Sequence, residues 1–138
     1  MTGSSGDQIE RGISFVYDRI QSATKSLGVL NSENRLHDLD GIWETYYDVE
    51  EAILVAKVTF RGFDRPGKIR KLPEFRSLSD PVVRAAFKIA QENLSLAQTK
   101  LLSRHGTETV ECLRRARDQL KALLLAGDTF SRRKNVEV

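Results

Sequence analysis

Apolar residues return at steps of three and four in four separate stretches of this chain, and no other feature limits its fold so strongly. Ile9, Ile13, Val16, Ile20, Ala23 and Leu27 make the first run. Leu39, Ile42, Tyr46, Val49, Ile53, Ala56 and Phe60 make the second. Val83, Phe87, Ala90, Leu94, Ala97 and Leu101 follow, then Leu113, Ala116, Leu120 and Leu123. An α-helix turns once in about 3.6 residues, so each run forms one stripe along one side of a helix. Pro66, Pro73 and Pro81, the only prolines, all fall outside the stripes.

The spacing predicts helices over about residues 7–27, 33–60, 81–104 and 108–126. Ser5 and Gln8 have the spacing of a capping box, and Gly28 suits the left-handed position that ends a helix. Within the second stretch, Ile53 to Phe60 has the β-branched composition of a strand. Helix is preferred there because the stripe runs in unbroken from upstream. Asp80 can cap the third helix, with Pro81 in the first turn, where its missing N–H is harmless. Thr107 is expected to open the fourth helix and Gly127 to stop it, leaving residues 131–138 frayed. Short links after the first and third helices favour hairpins. The expected fold is all-α: an antiparallel four-helix bundle of two hairpins joined by a long basic crossover over residues 62–79. Half of a larger, dimeric bundle is the alternative.

With 138 residues, 40% of them apolar and 30% charged, the chain suits one globular domain. It holds no apolar run of the roughly 18–20 residues that a membrane span needs. MTGSSGDQ has neither a basic nor an apolar leader region, and Cys112 is the only cysteine. A cytoplasmic protein without membrane contact is the expectation.

The net charge of +3 is unevenly spread. Arg61, Arg65, Lys68, Arg70, Lys71 and Arg76 stand within one short segment, opposed only by Asp64 and Glu74. The surplus is therefore local, and the rest of the chain is close to neutral. The segment is also longer than the 2–8 residues usual between helices. Its cations, interleaved with Phe63 and Phe75, have the makeup to follow a phosphate backbone while aromatic rings stack on bases. The plainer reading is a connection that packs Phe63, Leu72 and Phe75 on the bundle and leaves its charges in water.

Catalytic patterns fare poorly. Gly62 to Lys68 fits the first seven positions of a phosphate-binding G-x-x-x-x-G-K-[ST] loop. Ile69 then stands where a magnesium-holding hydroxyl belongs, and Pro66 deletes an amide such a loop needs. Neither His37 nor His105 follows a glutamate at the spacing of di-iron bundles. Neither follows an arginine at the R-x(4–6)-H spacing of helical ribonucleases. His105 is expected to meet free carbonyls at a helix end, and Cys112 to act as a small buried hydrophobe. No catalytic residue, metal ligand or cofactor is assigned.

Two further groups invite a partner. Trp43, Tyr46 and Tyr47 cluster on the second helix, where widening of the buried face is the first expectation and anchoring of a partner the second. Arg114, Arg117 and Lys121 share a face of the fourth helix, with Arg115 beside them and Arg132, Arg133 and Lys134 beyond. A solvated face is the plainer reading of these. The chain is thus read as a non-enzymatic binding protein. Nucleic acid or another acidic surface would meet Arg61, Arg65, Lys68, Arg70, Lys71, Arg76, Phe63 and Phe75. A protein-interaction or homo-oligomeric subunit is the alternative.

Overall fold

A computed structural model describes residues 4–60 and 71–136, with side chains described for residues 6–60 and 71–129. The described residues form four helices and no strand: α1 (Ser4–Ser32), α2 (Leu39–Thr59), α3 (Asp80–Leu102) and α4 (Gly106–Val136). The strand-like run from Ile53 continues α2 as helix to Thr59.

The stripes are the core. All six apolar residues of the third run are buried, and so are the four of the last. In α1 every stripe residue but Ile9 is buried. In α2, Ile42, Val49, Ile53 and Ala56 are buried, while Tyr46 and Phe60 are partly covered and Leu39 is open. Leu30, Leu36 and Val110 join the core from outside the expected runs. Each fully buried leucine or phenylalanine contributes about 1.5–3 kcal/mol. Alanines at 23, 52, 56, 86, 90, 97 and 116 are also buried, which lets the helices approach closely.

Each helix packs on two others. α1 and α4 both pack on α2 and α3, while among the described residues no Cα of α1 lies within 8 Å of α4, nor any of α2 within 8 Å of α3. The cross-helix neighbours follow an order. Along α1 from its C-terminal end, Leu30, Ser22, Arg19 and Gly12 meet Gly41, Asp48, Glu51 and Thr59. On the other side of α1, Asn31, Gln21 and Glu10 meet Arg84, Gln98 and Arg104. Between α2 and α4, Leu39, Glu50 and Phe60 meet Gly127, Arg117 and Gly106.

Several helix ends differ from expectation. Gly28 does not stop α1, and a Cβ built on it would point into open space. The stop comes at Asn34, with φ of 58°. Arg35 N–H donates to the Leu30 carbonyl at 2.7 Å, and Asn34 N–H to Asn31 at 3.2 Å, the paired bonds of a left-handed helix end. Arg104, with φ of 59°, ends α3 in the same way through His105 N–H to Lys100 and Arg104 N–H to Leu101. The second helix starts at Leu39 and not near Ser32, because Asp38 is its cap: the Asp38 carboxylate accepts from Gly41 N–H at 3.1 Å. Asp80 is already inside α3, whose cap position is Ser79, and the Ser79 side chain makes no capping bond. Gly127 is buried against Leu39 in mid-helix, and α4 continues to Val136 where a frayed tail was expected.

Candidate functional site

The basic segment is the first candidate. Arg61, Phe63, Arg65, Lys68 and Arg70 lie outside the described residues. Residues 71–79 are non-helical and lead into α3. Within them Lys71, Glu74 and Arg76 are exposed, and Leu72 is partly covered. Phe75 and Leu78 are partly buried and pack on the core, so part of the Phe75 ring is engaged in the fold.

The path of this segment follows from what it covers. Lys71, Leu72, Phe75 and Arg76 share a groove of about 720 Å³ with Ala122, Leu125, Ala126 and Thr129. Those four α4 residues stand at i, i+3, i+4 and i+7, on the side opposite the inner stripe ending in Leu120 and Leu123. Ala122 is buried there although it faces away from the core stripe. The segment therefore lies along the outer side of α4. Exposed Lys121 precedes Ala122 directly, and exposed Arg115 stands two turns before Ala122 on the same line.

Not every α4 cation is free to join this side. Arg117, expected to share a face with Arg114 and Lys121, turns toward α2 and bridges Glu50 at 3.3 Å and the buried Asp118 at 3.2 Å. Arg115 pairs with Glu111 at 3.8 Å, one turn earlier on the same helix. The side chains of Arg132, Arg133 and Lys134 lie outside the described residues.

At the end of the bundle where α2 begins, an open groove of about 710 Å³ has an apolar floor that includes Leu36, Ile42 and Leu123. His37 and Arg76 stand at its polar rim. His37 Nε2 lies 3.0 Å from Asp80 Oδ1, which ties the α1–α2 link to the first residue of α3. His105 does not turn to carbonyls: its Nδ1 lies 3.4 Å from Glu108, whose carboxylate is held below its usual range chiefly by Lys100 at 2.8 Å. Cys112 is buried in the core, and burial pushes its thiol up. Among the described residues no three His, Cys, Asp or Glu side chains group closely enough to hold a metal ion. No helix among them is long and apolar enough to cross a membrane.

The third feature is the outer side of α2. Trp43 and Tyr47 do not widen the core; they are 44% and 51% exposed. The two rings meet edge to face at 5.0 Å, and Trp43 also stacks on Tyr46 at 5.3 Å. Burial, and then the nearby Glu50, push the Tyr46 phenol up. Leu54 and Val58 continue the same outer line, 62% and 67% exposed. Helical periodicity does not say that this second stripe faces outward, because α2 is apolar on both sides. Noting that Trp43, Tyr47, Leu54 and Val58 step by 4, 7 and 4 would have isolated it.

No protein-family model matches the chain, and it has no significant match among curated proteins or solved structures.

Proposed function

We propose that this chain is a non-enzymatic cytoplasmic binding module that meets the phosphate backbone of nucleic acid along the outer side of α4. It is read as an antiparallel bundle of two helical hairpins, since residue numbers fall along one helix as they rise along its neighbour in every cross-helix pair above. The observation that carries the binding reading is the path of residues 71–76 over Ala122–Thr129. On this reading exposed Lys71 and Arg76 run beside the α4 line that carries Arg115, itself paired with Glu111, and exposed Lys121 stands on the adjoining flank of α4. Cations brought together from two segments raise the local potential more than the same charges scattered over a surface. Arg61, Arg65, Lys68 and Arg70 belong to the same basic segment and would add to its charge. With Phe75 engaged in packing, recognition rests on charge more than on stacking and should show little sequence preference.

The test is binding of a labelled oligonucleotide across a salt series, comparing wild type with a variant in which Arg61, Arg65, Lys68, Arg70, Lys71 and Arg76 are all alanine. The wild type should bind at low salt and weaken steeply as salt rises, and the variant should bind far less. Equal binding by the two proteins would overturn the reading. Binding of acidic polypeptide but not of oligonucleotide would reassign the same side to a protein partner.

A further inference from the structure

We propose that the outer stripe of α2 is a self-association surface, on which a second copy of this chain docks its own α2 in the antiparallel sense about a two-fold axis beside the Glu50–Glu51 peptide. The pattern of the stripe argues for a second copy over a different protein. Trp43 and Val58 lie equally far on either side of that peptide, and so do Tyr47 and Leu54. Turned about a two-fold axis there, the stripe therefore falls on itself. Trp43 comes level with Val58 of the other copy, and Tyr47 level with Leu54. Each large ring is then matched to an aliphatic side chain, as a self-complementary interface requires. The four residues lie within about 60° of one another around the helix, so they form one continuous strip.

The charges agree with this pairing. Glu50 and Glu51 would stand nearest the axis, where like charges of two copies approach. Each is already held within its own chain, Glu50 by Arg117 at 3.3 Å and Glu51 by Arg19 at 3.1 Å. The first half of α2 carries Asp40 and Glu44, and its last turn carries Lys57. Antiparallel docking sets the acidic half of one copy level with the lysine end of the other and opposes the two helix dipoles. Parallel docking would set like ends together.

The strip supplies the centre of an interface and its flanks the remainder. Trp43, Tyr47, Leu54 and Val58 expose roughly 400 Å² per copy, about half of the ~800 Å² per partner of a standard interface. Open Leu39 and the stems of Glu44, Glu51 and Lys57 flank the strip and extend it. The aromatic anchor is also ordered before docking, since Trp43 is already packed against Tyr46 and Tyr47. Less side-chain freedom is then lost on association.

Trp43 is the sole tryptophan, so its fluorescence reports on the strip directly. The purified 138-residue chain is followed from about 1 μM to about 200 μM by light scattering and by Trp emission, at low and at high salt. The expected result is a salt-tolerant dimer, with a blue shift and reduced iodide quenching of Trp43 as it forms. Leu54→Glu and Val58→Glu, at exposed positions that leave the helical circular dichroism unchanged, should each weaken the dimer at least about 100-fold. In a Cys112→Ala background, Tyr47→Cys mixed with Leu54→Cys should form the inter-chain disulfide. Leu54→Cys alone should not, because its two copies lie about 10 Å apart along the helices. A chain that stays monomeric with Trp43 exposed would give the strip to another partner and overturn the proposal. A dimer that survives both glutamate variants, or that links Leu54→Cys to its own copy more readily than to Tyr47→Cys, would overturn it as well.

Discussion

Gly12 of α1 lies so close to Thr59, at the end of α2, that a Cβ built on Gly12 would fall inside the Thr59 side chain, against its hydroxyl and its own Cβ. The contact fixes how near the two helices come at that end of the bundle. Gly28, one face and several turns away on the same helix, meets no atom within 4 Å of such a Cβ. Both glycines are helical, so the same substitution should act in opposite directions at the two sites. Gly12→Ala forces α1 and α2 apart and should destabilise by about 1–3 kcal/mol, as overpacking does. Gly28→Ala adds helix propensity without a clash and should stabilise by up to about 1 kcal/mol. Urea unfolding of the two variants checks both signs. Had Gly28 held a left-handed turn, its replacement would cost stability.

Asp38 gives a pH signature. Its carboxyl is held below its ordinary value of 3.8 first by the Gly41 amide and then by Arg35. A carboxyl lowered in the folded state contributes stability above its unfolded pKa, and that contribution is lost as pH falls through the lowered value. Asp38→Ala should therefore cost about 1 kcal/mol at neutral pH, and the difference from wild type should shrink below about pH 4. Asp38→Asn keeps a good cap and should retain most of the stability at pH 7. Denaturant midpoints of the three proteins from neutral to acid pH make the comparison.

Phe75 and the exposed cations beside it should separate cleanly. Phe75→Ala removes packing against the core and should lower stability by about 1–2 kcal/mol, with binding of nucleic acid reduced little in the folded protein. The double variant Lys71→Ala, Arg76→Ala should leave the melting temperature nearly unchanged. It should reduce the salt dependence of binding by about one charge per lost phosphate contact. Thermal melts beside salt-series binding isotherms decide this. Stable Phe75→Ala protein with abolished binding would return the ring to a stacking role.

Core positions on the α3 stripe give the largest effects. Phe87 and Leu94 are 1% and 0% exposed, so truncation of either to alanine leaves a cavity costing about 2–5 kcal/mol. Ile89, on the open side of the same helix at 41% exposure, should cost under about 1 kcal/mol when made alanine. Chemical denaturation of the three variants measures the contrast.

The stripes were legible in the sequence because burial on a helix has a period, and Val83 through Leu101 follow it without exception. The ends were less legible because local and tertiary signals compete there. A glycine such as Gly28 or Gly127 reads as a stop, yet at Gly127 the small residue admits Leu39 of a neighbouring helix. Asn34 and Arg104 take the left-handed positions instead, which composition alone does not mark at an arginine. Asp80 has the look of a cap, but its carboxylate is drawn to His37 across the bundle. For the candidate site, the excess charge was visible and its neighbours were not. That Lys71 and Arg76 lie along Ala122–Thr129 depends on how the chain crosses α4, and no spacing encodes that path. The openness of Trp43 and Tyr47 was hidden for a related reason: a helix apolar on two sides does not say which side is inside.

The absence of close backbone approach between α1 and α4 has a mechanical consequence. The two helices share one core cluster without close backbone approach, so a load applied at the outer side of α4 reaches the α1 backbone through core side chains or through α2 and α3. α2 is one of those two struts, and it also bears the Trp43–Val58 strip on its far side. A load on that strip and a load on the outer side of α4 therefore meet in α2, which packs directly on α4.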